Sequence, residues 1–238
     1  MVSPILPLRA SGLEVRRRGR PLLGPLDLAI TEPGITIVVG PNGGGKTTLL
    51  KALHGLERRS AGTVTWGLPT SEAAARQAFV FQTPIMLRRT VRENLTYPLK
   101  IARLPGPERG KRVADWADRA GLVPLLNRPA TRLSGGERQK LALARALIAA
   151  PDFLFLDEPC TNLDGRATRE IEELLQAEAA RGTAVLMATH DIGQARRLAD
   201  RVLFLHRGRI LEEGPAAEVL SAPTTAALAS FVKGDIVE

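Results

Sequence analysis

The sequence predicts an α/β fold: a mainly parallel sheet, an antiparallel N-terminal β portion and an inserted helical subdomain. Three observations carry that expectation. The runs "GITIVV", "DFLFLD" and "TAVLMAT" are almost wholly apolar, the pattern of strands buried on both faces, as in parallel sheets. Helical stretches alternate with those runs. Upstream, "LPLRASGLEVRRRGRPLLGPLDLAI" alternates apolar and polar residues between turn signals, which reads as short antiparallel strands.

The elements follow in order. "GITIVVG" is a buried strand, and a helix is expected over residues 46–56. "AFVFQ" reads as a further short strand. Thr90 and Glu93 have the spacing of a capping box, opening a helix through "VRENLTYPLKIARL". Residues 105–150 are helical in pattern, broken at "LPGPERG" and "NRPATRLSGGE". After "DFLFLD" a helix over 167–180 stops at Gly182; "TAVLMATH" is a strand, "IGQARRLAD" a short helix and "VLFLHRGRILEEG" a hairpin. No internal repeat or low-complexity tract interrupts this. The chain reads as one domain, 1–238, with 1–87 and 151–238 forming a catalytic core and 88–150 the helical subdomain.

With 238 residues, 44% of them hydrophobic, the chain can bury a sizeable core. Its net charge of +8 points to an anionic partner: nucleotide, nucleic acid or an acidic membrane face. The single cysteine, Cys160, excludes an internal disulfide framework and a cysteine-based zinc site, and fits a reducing cytoplasm. "MVSPILPLRASG" has no basic region before an apolar stretch, so no signal peptide is expected. No run approaches the ~18 apolar residues of a membrane span.

The chemistry is concentrated in "GPNGGGKTT": Gly40, Pro41, Asn42, Gly43, Gly44, Gly45, Lys46, Thr47 and Thr48. Gly40, Gly45, Lys46 and Thr47 fit the phosphate-loop spacing of a P-loop NTPase core. Glycines let backbone N–H groups wrap a β-phosphate, Lys46 reaches the β- and γ-phosphates, and the Thr47 hydroxyl is suited to Mg²⁺. The helix that starts here adds its positive end. "FLFLDEP" supplies Asp157, suited to holding Mg²⁺, and Glu158, which strand alternation points the other way, towards an attacking water.

A second segment, "LSGGERQKLALARAL" over 133–147, changes the reading. Ser134 and Glu137 are spaced as a capping box, yet Gly135 and Gly136 in a first helical turn cost about 1 kcal/mol each against alanine. That cost is understandable if the backbone must approach a ligand closely. A second anion-binding helix end implies two chains sharing a nucleotide.

With these residues in place the chain resembles the ATP-binding subunit of an ABC transporter over nearly its whole length, which implies the ABC ATPase fold. "LSGGE" resembles the family's signature motif. By that resemblance Ser134, Gly135, Gly136 and Glu137 act in trans in a head-to-tail homodimer enclosing two ATP molecules. Gln82 in "VFQTP" corresponds to the glutamine that senses Mg²⁺ and water, Asp164 in "TNLD" to the interface loop, though it also suits the N-cap of the next helix, and His190 in "MATHD" to the histidine that contacts the γ-phosphate. The resemblance thus implies Glu158, His190, Gln82 and Lys46 as catalytic residues, and Thr47, Gln82 and Asp157 as the Mg²⁺ set. His54 and His206 match nothing and read as structural or surface residues.

Two positions depart from the family pattern. No aromatic residue precedes Trp66 to stack on adenine, which leaves Val15 or the guanidinium plane of Arg16 or Arg17. Cys160 follows "DEP" where a small or hydroxylated residue is usual. It reads either as an oxidisable thiol or as a small buried filler.

The resemblance also implies an integral membrane permease, docked at "TPIMLRRTV" through apolar Pro84, Ile85, Met86 and Leu87 followed by Arg88 and Arg89. The recognisable core ends near Gly214, and the remaining C-terminal stretch is too short for the regulatory domain of sugar importers. The expected setting is peripheral, on the cytoplasmic face of the inner membrane, with a periplasmic or surface solute-binding protein as an indirect partner and no nucleic acid. The runs "VFQTPIMLRRTVRENL", "ATHDIGQARRLADRVLFLHRGRI" and "FVKGDI" look most like tungstate importers, with phosphate and molybdate importers close. The alternatives are an efflux or lipoprotein-release ATPase, or a soluble ATPase acting on nucleic acid.

Overall fold

The computed structural model describes residues 5–235, so Met1–Pro4 of the leader reading and Ile236, the end of "FVKGDI", lie outside it. β1 (Leu8–Arg17) and β2 (Arg20–Ile30) form an antiparallel hairpin. β3 (Gly34–Val39) leads into the glycine loop, and α1 (Lys46–His54) leaves it. Gly55 turns into the left-handed region at φ 94°, so α1 is shorter than the expected 46–56. β4 (Ala61–Thr65) then pairs antiparallel with β1. Local alternation does not mark it, because it is exposed along nearly all its length.

α2 (Thr70–Ala75) and β5 (Gln77–Val80) come next. β5 lies slightly earlier than "AFVFQ", and Phe81 and Gln82 leave the sheet. α3 (Val91–Ile101) opens on the expected capping box: the Glu93 N–H donates to Thr90 Oγ1 at 3.2 Å, and the Thr90 N–H to Glu93 Oε2 at 2.9 Å. α4 (Gly106–Arg119) begins inside "LPGPERG", which the sequence marks as a break. Pro107 occupies its first turn, where an N–H has no helical partner to lose. α5 (Gly135–Leu147) carries the second glycine pair.

The chain returns through β6 (Phe153–Asp157), α6 (Gly165–Ala180), β7 (Ala184–Thr189) and α7 (Ile192–Leu198). β8 (Arg201–His206), β9 (Arg209–Pro215), α8 (Ala216–Ser221) and α9 (Ala226–Lys233) complete it. α6 starts before the expected residue 167 because the Asp164 carboxylate accepts the Ala167 N–H at 2.8 Å.

Two sheets result. One is antiparallel, in the order β2-β1-β4; the other runs β5-β6-β7-β3-β8-β9 and is parallel except for β9. Alternate residues of the large sheet enter different cores. Phe153, Phe155 and Leu186 pack with α1 and the β1–β2 hairpin, whereas Leu154, Leu156 and Met187 pack with the helices of the other face. Burial on both faces explains why these strands read as unbroken apolar runs. Because β7 lies between β6 and β3, their carboxyl ends form one row: Asp157 pairs with Ala188, and Val39 with Thr189. The loops that leave these strand ends are therefore delivered to the same edge.

Candidate functional site

That edge carries a cleft of about 550 Å³ lined by Asn42, Gly43, Gly45, Lys46, Thr47, Thr48, Gln82, Glu158, Thr161 and His190. The loop can wrap there only as glycine. A Cβ on Gly40, at φ 152°, would lie 2.0 Å from the Leu205 carbonyl oxygen, and Gly45 has φ 106° with Leu22 O 3.3 Å away. α1 starts with no side-chain cap and no acid in its first turn, which leaves its positive end to the cleft.

Lys46 is buried. Its ammonium donates to the carbonyls of Gly40 at 2.8 Å and Pro41 at 3.1 Å, and lies 3.6 Å from Glu158 Oε1. Burial lowers its pKa despite the attraction of Glu158. Thr47 Oγ1 donates to Asp157 Oδ1 at 2.8 Å. Asp157 is buried too, and desolvation raises its pKa against the Thr47 hydrogen bond. A phosphate beside Lys46 and a divalent cation beside Asp157 would each favour the charged form that burial penalises.

Glu158 reaches the cleft by a different route from the one strand alternation implies. β6 has ended, and Glu158 takes φ 47°, uncommon for a residue with a Cβ. Its N–H donates to the Ala188 carbonyl at 3.0 Å. Glu158 Oε2 is then the meeting point of three side chains: Thr161 Oγ1 donates at 3.0 Å, Gln82 Nε2 at 3.4 Å, and His190 Nδ1 lies 3.2 Å away. A carboxylate held this way can accept a proton from a water in the cleft. Thr161 is the residue that sequence reasoning missed. Its signal was Pro159, which favours a turn that returns residue 161 to residue 158; the Thr161 N–H donates to Glu158 O at 3.3 Å.

The donor set suits magnesium. Thr47, Asp157 and Gln82 offer hard oxygens, and Mg²⁺ is commonly held by one or two carboxylates together with substrate phosphates. Among the described residues no cluster of three His, Cys, Asp or Glu forms a self-sufficient metal cage.

The second glycine segment lies apart. Ser134, Gly135, Gly136 and Glu137 line a separate cleft with Asn162, Leu163 and Asp164, which shares no lining residue with the first. The expected capping box is present: the Ser134 N–H donates to Glu137 Oε2 at 2.7 Å, and the Glu137 N–H to Ser134 Oγ at 3.3 Å. Gly136 has a reason within the chain, since a Cβ there would lie 3.0 Å from the Ala167 Cβ on α6. Gly135 has none, for its nearest neighbour would be Leu163 Cδ2 at 4.0 Å.

Other expectations are corrected or refined. Val15 of β1 is fully buried and offers no face to a base; Arg16 and Arg17 are exposed and paired with Glu14 and Glu57. Cys160 packs against the core, and burial pushes its thiol up to about 11, so it is protonated at neutral pH and reads as filler. His54 is structural, edge-on to Phe79 and Phe155.

Of the four apolar residues in "PIML", only Ile85 stands clear, at 72% exposure, while Met86 packs inward. Ile85 joins Pro84, Phe81, Tyr97 and Ile101 around an apolar groove of about 310 Å³. Arg145 of α5 anchors this segment, donating to Ile85 O at 2.7 Å and to Asn94 Oδ1 at 3.1 Å. No helix among the described residues is long and apolar enough to cross a membrane.

The chain is similar to known proteins. The family model described as ABC transporter matches residues 23–161. The phosphate import ATP-binding protein PstB 2 of Natronomonas pharaonis is 37% identical, over 97% of this chain and 87% of its own length. The nickel import ATP-binding protein NikO of Rhodobacter capsulatus is 40% identical, over 88% of this chain and 89% of its own. Among solved structures, cbiO1 of Clostridium perfringens, part of the ABC transporter complex cbiONQ, superposes with a TM-score of 0.81 at 27% identity, covering 90% of each chain.

Proposed function

The chain belongs to the ABC transporter family, and on that premise we propose that it is the ATP-hydrolysing subunit that powers import of a small solute through a separate membrane permease. The observation that carries the reading is the convergence of Lys46, Thr47, Gln82, Glu158 and His190 on one cleft from four separate chain segments, with Asp157 bonded to Thr47 beside it. The relatives support import: one is a phosphate import ATP-binding protein, another a nickel import ATP-binding protein. The solute we propose is tungstate or a related oxyanion. Its support is the resemblance of "VFQTPIMLRRTVRENL" and "ATHDIGQARRLADRVLFLHRGRI" to tungstate importers.

In this reading the loop N–H groups and Lys46 bind the ATP phosphates. Thr47, Asp157 and Gln82 hold Mg²⁺, which supplies charge neutralisation at the phosphates when bound. Glu158 orients and deprotonates the attacking water, with Thr161 and Gln82 fixing its carboxylate, and His190 faces the γ-phosphate. Arg16 or Arg17 provides the surface for adenine. Ser134 and Gly136 complete the site of a second copy in a head-to-tail homodimer, with Asp164 at the interface. Residues 88–150 act as the helical subdomain, and the Ile85–Tyr97–Ile101 groove receives the permease. The subunit then works peripherally, at the cytoplasmic membrane face.

The test is elemental. Cells carrying the wild type or Lys46→Ala are given trace tungstate, molybdate, phosphate and sulfate, and accumulated W, Mo, P and S are counted by mass spectrometry. Selective loss of tungsten is the expected result. Loss of another oxyanion element keeps import and replaces the solute. No change in any element overturns oxyanion import and points to efflux or lipoprotein release.

A further inference from the structure

Two helices leave the neighbourhood of the cleft: α6 from the Asp164 loop, and α7 from Asp191, the residue after His190. They meet again at a buried carboxylate. Glu172 of α6 is only 5% exposed. Arg197 of α7 holds it with two bonds, Nε at 2.9 Å and Nη2 at 2.7 Å, and Gln194 Nε2 adds a third at 3.2 Å. One turn further along α6, Gln176 Nε2 donates to the Arg197 carbonyl at 3.3 Å. α6 therefore grips Arg197 by its main chain and by its guanidinium.

The same guanidinium lies over the first turn of α7. A Cβ on Gly193 would sit 3.3 Å from Arg197 Nη1 and 3.0 Å from Asp191 Oδ1. Asp191 is fixed in turn: it accepts the Gln194 N–H at 3.0 Å, and its own N–H donates to Thr189 Oγ1 at 3.1 Å. α7 has only seven residues, under two turns, too few to hold an orientation without tertiary support. A planar fork on a buried carboxylate is the directional support it needs.

We infer that Arg197, held by Glu172 and Gln176, is a positioning residue for His190. It sets α7, and through Asp191 the imidazole, in register with Glu158 and with the helix that starts at the Asp164 loop. Arg197 does not line the cleft and touches no substrate. This rests on the ATPase reading above, and it adds a link by which a shift of α6 at the Asp164 loop reaches His190.

The test uses the full chain as Arg197→Met, Arg197→Lys and the double variant Glu172→Gln/Arg197→Met, which leaves no unpaired buried charge. ATP turnover, Tm and the ring resonances of the three histidines are measured; single substitutions of each histidine supply the assignments. In Arg197→Met, kcat falls about 10²-fold, while KM for ATP stays within about twofold. The His190 ring resonances move, and those of His54 and His206 stay. Arg197→Lys, which keeps the charge without the fork, retains most of the loss. The double variant regains the wild-type Tm but keeps both the turnover loss and the displaced His190 signals. If it recovers turnover, or if His190 resonates as in the wild type in every variant, the inference is overturned. A wild type with no hydrolysis would count against the ATPase reading, and the His190 resonances would still decide the positioning role.

Discussion

The chain has two glycine-bearing helix starts, and they are built in opposite ways. α1 opens on Gly45 with no side-chain cap, no acid in its first turn and a buried lysine directed along the loop. α5 opens on Ser134, whose hydroxyl and N–H are both engaged by Glu137. The first end leaves its N–H groups without a side-chain cap; the second engages two of its own, those of Ser134 and Glu137. On the reading proposed above, the first is an anion site complete in one chain, and the second a latent one that is stable alone and needs another surface to matter. Gly136 sharpens the point, since close packing on Ala167 accounts for it, whereas nothing within the chain accounts for Gly135.

The largest expected effect comes from blocking the latent end. Ser134→Arg abolishes hydrolysis yet leaves nucleotide binding by the free monomer intact, read by equilibrium titration. Loss of monomer binding would mean that the two ends are not independent. Next is Glu158→Gln, which attacks the complete end: ATP binding persists and turnover drops about 10²–10⁴-fold, with a dimer trapped on sizing columns. Unchanged turnover would remove Glu158 from proton transfer.

Gly135→Ala discriminates more finely. Its space is open and its φ ordinary, so helix propensity alone favours the variant by about 1 kcal/mol. Tm therefore rises while turnover falls, because the added methyl stands where a partner's phosphate would approach. A stabler variant with full turnover would make Gly135 incidental.

The smallest effect concerns Asp157. Its folded pKa is raised, so the folded state favours the neutral acid. Stability is lost as pH climbs from the unfolded carboxyl value through the folded one. Asp157→Asn keeps an acceptor for Thr47, so its Tm exceeds that of the wild type at neutral pH. The gain vanishes below about pH 4, where the wild-type acid is protonated in both states. A gain independent of pH would show that desolvation of the charge is not its source.

Much of this was legible because it is local. The glycine loop, the capping boxes at Thr90 and Ser134, the Asp164 cap and the two-sided strands depend on residues within a few positions of one another. The exceptions are instructive. α4 crosses a proline–glycine stretch that marks a break, because proline in a first turn costs nothing there. β4, almost wholly exposed, owes its form to pairing with β1, a long-range partner.

The sequence alone determined that a phosphate loop, an acidic pair and a second glycine segment exist, since each is written in adjacent residues. Only the tertiary structure decided how they act together. It placed the ends of β3, β6 and β7 in one row, turned Glu158 through a left-handed conformation, and brought Thr161, Gln82 and His190 to a single oxygen. It also buried Val15, exposed Ile85 beside Tyr97 and Ile101, and joined Glu172 to Arg197 across two helices. The physical reason is the same in each case: burial and hydrogen bonding belong to pairs of distant segments, and a linear pattern specifies a segment's own shape more strongly than its neighbours.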